Sequence, residues 1–348
     1  MKGFLSILGL VGLLPGVYLT ILTFRSAQTV WAWVWLAIYL LLCIGAFLLQ
    51  NEPRRARWVG GVGLGLLAAV ILLRGLRAGD TYFGRTTTLP AGGTGRWLGR
   101  LVEESDLALL GFTAMTDFGV VRKEEALTAR PLLRAAYRGM RADPDFRTVP
   151  TPLAASILNL SGPGHVEATL INPPAPGEQA ERAIVVLHGL GGAVNLPCYL
   201  LARQLSNAFV VCPSVGVAAD WGLDRGAQVF QEVLTWLTPQ TRSVCVVALS
   251  AATVGAQRLL ARNLLGHVSG AVLISGFNEE EFDAIRRSDI PLLMIRGTTD
   301  TRTPRFDLQG QFAHLAHVHA LELEGGHYVF LEQQGEVLDQ IDQFCAPR

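Results

Sequence analysis

The chain has 348 residues, half of them hydrophobic, and its 29 basic and 29 acidic side chains cancel. The balance hides an asymmetry: residues 1–78 carry seven Lys/Arg and one acid, the remainder 22 against 28. A mildly acidic main body argues against nucleic acid as a partner, and five cysteines without dense spacing argue against a disulfide-stapled small scaffold.

Phe4 to Phe24 is apolar apart from Ser6, Pro15 and threonines, and Thr29 to Leu49 is a second such run, with Trp31, Trp33 and Trp35 near one end. Each has the ~20 residues that cross a bilayer. Lys2 and Ala27 would suit a cleaved signal peptide, but the first apolar core is long and the second follows at once, so an anchor is expected. After the polar break Asn51–Arg57, Trp58 to Leu73 forms a third, shorter run, which Arg57 and Arg74 can extend by snorkelling. An in-plane or re-entrant segment is the alternative for this third run. Gly12/Gly16 and Gly61/Gly65 have the spacing that lets helix backbones approach closely in lipid. No acid or histidine interrupts the spans, so they read as an anchor rather than a transport pathway. With three spans, Lys2, Arg54, Arg55 and Arg57 share one side, and Arg25, Arg74 and Arg77 the other. The positive-inside rule leans weakly toward a cytoplasmic N-terminus and an exported main body.

Residues 79–152 read as a helical linker or a lid. Thr86 to Gly95 is loop-like, with Pro90, Gly92, Gly93 and Gly95, whereas Trp97–Phe112 and Lys123–Met140 have the spacing of amphipathic helices. They could cover a site or serve as a strut. Residues 153–348 form the expected catalytic domain. A strand over His165–Ile171 is followed by the turn Pro173–Gly177 and by a β-branched strand, Ala183–Leu187. That strand runs into His188-Gly189-Leu190-Gly191-Gly192, where glycines let backbone N–H groups approach a bound oxygen.

The apolar run Ser243–Leu249 ends at Ser250, and a helix-compatible stretch begins at Ala251. A serine between a buried strand and a helix N-terminus stands on a sharp turn, exposed, where the helix stabilises nearby negative charge. Glycine usually flanks such a serine two residues away; here Ala248 and Ala252 stand there. A helix-capping serine is the plainer alternative for this pentapeptide taken alone. Downstream, strand Pro291–Ile295 leads to Gly297-Thr298-Thr299-Asp300, and His319–Leu323 leads to Glu324-Gly325-Gly326-His327.

Serine, acid and histidine, each after a strand and in that chain order, resemble the α/β-hydrolase family over roughly residues 165–345. The resemblance implies an α/β fold, a mostly parallel sheet with helices on both faces. It implies Ser250 as nucleophile, His327 as base and Asp300 as the acid orienting it. It also implies an oxyanion hole built from the backbone N–H groups of Leu190 and Ala251. No cofactor and no metal is implied. His314, His317 and His319 read as a surface cluster.

Rivals fit less well. Ser214 follows Pro213 with no helix after it and reads as a loop at the site rim; Ser275 precedes a turn at Gly276; Asp224 and Asp307 lie outside strand ends; Glu324 is only three residues from His327. His188 reads as part of the oxyanion loop rather than a base, and Cys212 and Cys245 as inert core thiols.

The expectation is a membrane-anchored serine hydrolase that cleaves carboxylic esters or thioesters through an acyl-Ser250 intermediate. The bilayer would be its partner, and lipophilic esters suit that location. A peptidase or amidase of the same fold is an alternative, and so is a catalytically silent membrane-bound binding module. Oligomeric state is not encoded in any of these features.

Overall fold

The computed structural model describes residues 2–49, 51–77, 81, 83–89, 96–191, 194–205, 207–303 and 306–347. The expected boundary at 78/79, the loop residues Pro90, Gly92, Gly93 and Gly95, and Gly192 lie outside them. The chain forms two compact units, one of Met1–Ala78 with Arg100–Lys123, the other of Gly79–Gly99 with Glu124–Arg348.

The first unit contains α1 (Lys2–Ser26), α2 (Val30–Leu48) and α3 (Pro53–Arg77). All three are long and apolar enough to cross a membrane. The third helix is longer than its apolar run because Pro53 opens it, as proline suits a first helical position, and the arginines of the polar break join its first turns. Only part of the expected glycine packing forms. A Cβ on Gly12 would lie 2.8 Å from Cys43 Sγ and one on Gly16 2.9 Å from Leu40, so this pair does seat α1 on α2. Gly61 and Gly65 face open space; Gly45 and Gly63 make the α2–α3 approach instead.

The second unit holds an eight-stranded sheet in the order β1-β2-β4-β3-β5-β6-β7-β8. Its strands are β1 (Gly84–Leu89), β2 (Val166–Ile171), β3 (Ala183–Leu187), β4 (Phe209–Pro213), β5 (Val244–Leu249), β6 (Gly270–Ile274), β7 (Leu292–Gly297) and β8 (Val318–Leu323). From β4 to β8 neighbours in the sheet run parallel; β2 is antiparallel to both β1 and β4. Helices cover both faces, which is why β3 to β7 read as near-continuous apolar runs.

The helices after α3 are α4 (Arg96–Gly99), α5 (Glu104–Asp117), α6 (Lys123–Ala142), α7 (Leu153–Ile157), α8 (Asn195–Gln204), α9 (Asp224–Leu237) and α10 (Ala251–Ala261). They are followed by α11 (Phe282–Arg286), α12 (Leu308–Phe312), α13 (Val329–Glu332) and α14 (Gln334–Phe344).

Three sequence expectations change. Thr86–Leu89 is not a loop but most of β1, since a β-branched threonine run suits a strand once β2 offers it a partner. Trp97–Phe112 is not one helix: Glu103 is extended (φ −98°, ψ 124°) and starts α5 afresh. Cys212 and Cys245 are not free thiols: Cys198–Cys212 and Cys245–Cys345 are disulfides, their Cα atoms 6.3 and 5.7 Å apart. Partners 14 and 100 residues away leave no local pairing signal in the sequence.

Helices α5 and α6 divide between the units. Asp106 of α5 accepts the N–H groups of Gln28 (2.7 Å) and Thr29 (3.1 Å), so its carboxylate caps the N-terminus of α2. Asp117 pairs with Arg25 at 2.7 Å. Helix α6 belongs to the sheet unit, with Ala126, Ala129, Tyr137 and Met140 buried along one helical stripe.

Candidate active site

Ser250 sits where β5 breaks into α10, at φ 54° and ψ −118°. A non-glycine residue rarely holds positive φ, and such strain persists only where surrounding bonds impose it. Here the Ser250 N–H donates to Ile274 O (2.8 Å), and the Thr253 N–H donates back to Ser250 O (2.8 Å). The Thr253 hydroxyl binds Ala248 O and Ile274 O, both at 3.1 Å. The turn is tight on its other sides too. A Cβ on Gly276, itself at φ 71°, would lie 2.5 Å from Ser250 O, and a Cβ on Gly189 would lie 2.8 Å from Leu249 O. Ala248 and Ala252 are fully buried, so a methyl is accommodated where glycine is usual.

The structure brings Ser250, His327 and Asp300 together. Ser250 Oγ lies 2.7 Å from His327 Nε2, and His327 Nδ1 faces Asp300 Oδ2 (3.1 Å) and Oδ1 (3.2 Å). The loops after β7 and β8 are joined by backbone: Thr298 N–H donates to Leu323 O (2.8 Å) and Thr299 N–H to Gly325 O (2.9 Å). Asp300 also accepts the Arg302 N–H (2.9 Å) and the Thr303 hydroxyl (2.9 Å). Burial acts to raise the Asp300 pKa, but the hydrogen bond and charge of His327, with the Arg302 and Thr303 bonds, outweigh it and bring it down to about 2. Thr303 Oγ1 in turn accepts the Gly276 N–H (3.1 Å), tying the acid to the turn beside Ser250.

The backbone N–H groups named for an oxyanion lie on the two segments that meet at this serine. Ala251 opens α10, so its N–H has no acceptor within the helix. Leu190 follows Gly189, which packs against Leu249 and Ser250. His188 is buried, and both ring nitrogens are engaged: Nδ1 with Gly189 O (3.0 Å), and Nε2 as acceptor of the Val215 N–H (3.2 Å). Burial holds its pKa below the ordinary value. It shapes the loop, with the Trp221 indole N–H on its carbonyl (3.0 Å).

The rivals lie elsewhere. Ser214 is buried with its hydroxyl 2.8 Å from Ser161, not at a rim, because the Ser214 N–H donates to Glu167 O and continues the β2–β4 pairing. Asp224 pairs with Arg262 (3.0 Å) and Asp307 caps α12. His314 and His319 are exposed, while His317 contacts Ile285 O at 3.1 Å.

A pocket of about 140 Å³ opens at Ser250 and His327, walled by Leu133, Leu196, Ile274, Phe330 and Leu331. Leu133 comes from α6, which is fastened on both sides of the site. Glu125 accepts from Thr301 Oγ1 (2.9 Å) and Arg302 Nε (3.0 Å), and Thr128 donates to Glu332 (3.3 Å). Glu332 Oε2 accepts the Gly326 N–H (2.5 Å), one residue before His327. The Arg302 guanidinium lies 5.6 Å from the centre of the Tyr328 ring, and burial pushes that phenol up to about 12. Sequence reasoning missed Glu125, Leu133, Arg302 and Glu332; nothing in their local pattern separates them from ordinary helix and loop residues.

No family model and no curated protein matches the chain. Solved structures similar to it include an esterase of Pyrococcus furiosus, at 14% identity over 53% of this chain and 87% of that one, with a TM-score of 0.40. An esterase of Pyrobaculum calidifontis is 18% identical over 53% and 82%, TM-score 0.38. A fluorophosphonate-binding serine hydrolase of Staphylococcus aureus is 13% identical over 52% and 93%, TM-score 0.40. On its own strand order, with a strained serine between β5 and α10, an acid after β7 and a histidine after β8, the second unit has the α/β-hydrolase fold.

Proposed function

We propose that this protein is a membrane-anchored serine hydrolase that cleaves carboxylic esters or thioesters. The observation that carries the reading is the strained Ser250 with its hydroxyl 2.7 Å from His327 Nε2, while Asp300 holds Nδ1. In this scheme Ser250 Oγ attacks the acyl carbon and its proton passes to Nε2. Asp300 fixes the tautomer and balances the imidazolium that forms. The N–H groups of Leu190 and Ala251 hold the developing oxyanion. His327 returns the proton to the departing alcohol or thiol, then takes one from the water that attacks acyl-Ser250. Release of the acid restores the serine.

An apolar pocket beside the serine supports an acyl group over a charged substrate. Three apolar helices support a membrane address and a bilayer-dissolved substrate. Two disulfides support placing the sheet unit on the oxidising, extracytoplasmic side, in line with the distribution of basic residues in the first unit. The test is turnover of a p-nitrophenyl ester and of its thioester analogue by the full chain in detergent. Activity lost in both Ser250→Ala and His327→Ala supports the reading. Activity retained in Ser250→Ala contradicts it.

A further inference from the structure

We infer that the pocket restricts this protein to short acyl groups and that Leu133 of α6 sets the limit. The inference rests on the serine-hydrolase reading of Ser250 and adds a substrate class to it. The pocket holds about 140 Å³. An apolar cavity of roughly 150 Å³ accepts a benzene-sized guest, so a chain of about four to six carbons fills this one. Its walls are aliphatic or aromatic beside the serine and histidine, and no charged side chain lines it among the described residues. A longer acyl chain outgrows the space between these walls.

Leu133 differs from the other walls in origin. Leu196 lies in the first turn of α8, Ile274 ends β6, and Phe330 and Leu331 lie on α13 just after His327. The sheet, the helix after β3 and the segment after His327 set these positions. Leu133 stands alone on α6, half-buried, within three turns of Glu125 and Thr128. Their contacts to Thr301, Arg302 and Glu332 hold that helix against the site. The stretch of α6 that carries Leu133 is therefore held beside the pocket, and changing this side chain alters the lining without replacing Ser250, His327 or Asp300.

The experiment measures kcat/KM for p-nitrophenyl esters from acetyl to dodecanoyl. It uses the full chain in detergent, as wild type, Leu133→Ala and Leu133→Phe, with phosphonylation of Ser250 by a fluorophosphonate as the parallel readout. In the wild type each methylene that enters the pocket raises kcat/KM by about fourfold, until the pocket is full at butanoyl or hexanoyl. Beyond that length the value falls. Leu133→Ala should raise the dodecanoyl-to-butanoyl ratio by about tenfold or more, and Leu133→Phe should lower the hexanoyl-to-acetyl ratio by a similar factor. The inference is overturned if the wild type accepts dodecanoyl as well as butanoyl. It is also overturned if Ser250 is phosphonylated and the variants keep the wild-type profile. Should Leu133→Ala not fold, Leu133→Phe against the near-isosteric Leu133→Met makes the same comparison. A wild type that is not phosphonylated at Ser250 and turns over no ester overturns the serine-hydrolase reading itself.

Discussion

Ser250 at φ 54° costs on the order of 1–3 kcal/mol of backbone strain, and the bonds to Ile274 and Thr253 hold it there. Such a turn was legible because a buried strand and a helix met at one serine. Ala248 and Ala252 depart from the usual glycines, and the structure buries both completely. Ala252→Gly should leave ester turnover intact, whereas Ala248→Leu or Ala252→Leu should abolish it by crowding the turn, even where the circular dichroism spectrum stays native. Turnover in both leucine variants would mean the turn is not tight. At Asp300, Asn in place of the acid should leave the fold and lower kcat by about four orders of magnitude, because the imidazole loses its tautomer control. Asp300 also links stability to pH. Its folded pKa of about 2 lies below its ordinary 3.8, so its contribution is complete above 3.8 and is lost as pH falls toward 2. Acid titration of the melting temperature should show this component in the wild type and lack it in Asp300→Asn.

Helix α6 joins the apolar pocket to the Ser250–His327–Asp300 cluster, since one helix carries Leu133, the Glu125 contacts to the Asp300 loop and the Thr128 contact to Glu332. From sequence, its apolar spacing was visible and its destination was not. A helix period states which face is buried but not which element it meets. The same limit applies to β1, whose threonines become a strand only through pairing with β2, and to α5, whose Asp106 finds its acceptor role at α2. Glu332 is the sharpest case, six residues from the N–H it holds. Removing it takes a charge-assisted acceptor from the half-buried Gly326 N–H, a loss of about 1 kcal/mol once water replaces it, and the loss falls on the loop placing His327. Glu332→Ala should therefore lower kcat by about tenfold with little change in KM, and Glu332→Gln should recover most of it. An equal loss in Ala and Gln variants would contradict a positioning role.

On the scale of the whole molecule, the sequence separated an apolar N-terminal region from an α/β body, and the strand ends picked out Ser250, Asp300 and His327, which the structure brings together. It did not reveal the cysteine pairs, because Cys245 and Cys345 are 100 residues apart and meet only when the last helix docks on the sheet. Non-reducing peptide mapping should recover Cys198–Cys212 and Cys245–Cys345 with Cys43 free. Chain-entropy arithmetic gives about 3 kcal/mol for a loop near 15 residues and about 4.7 for one near 100. Cys345→Ser should therefore lower the melting temperature more than Cys198→Ser. Recovery of all five cysteines as thiols from freshly isolated membranes would contradict the extracytoplasmic placement.

The central claim is that Ser250 is an activated nucleophile rather than a capping serine. The direct measurement is mass spectrometry of the full chain after a fluorophosphonate reaction, with the adduct mapped to a residue. A single phosphonyl group on Ser250, lost in His327→Ala as well as in Ser250→Ala, is the predicted result. An unmodified Ser250 in a folded wild-type protein, or an adduct on another serine that persists in Ser250→Ala, would contradict the claim.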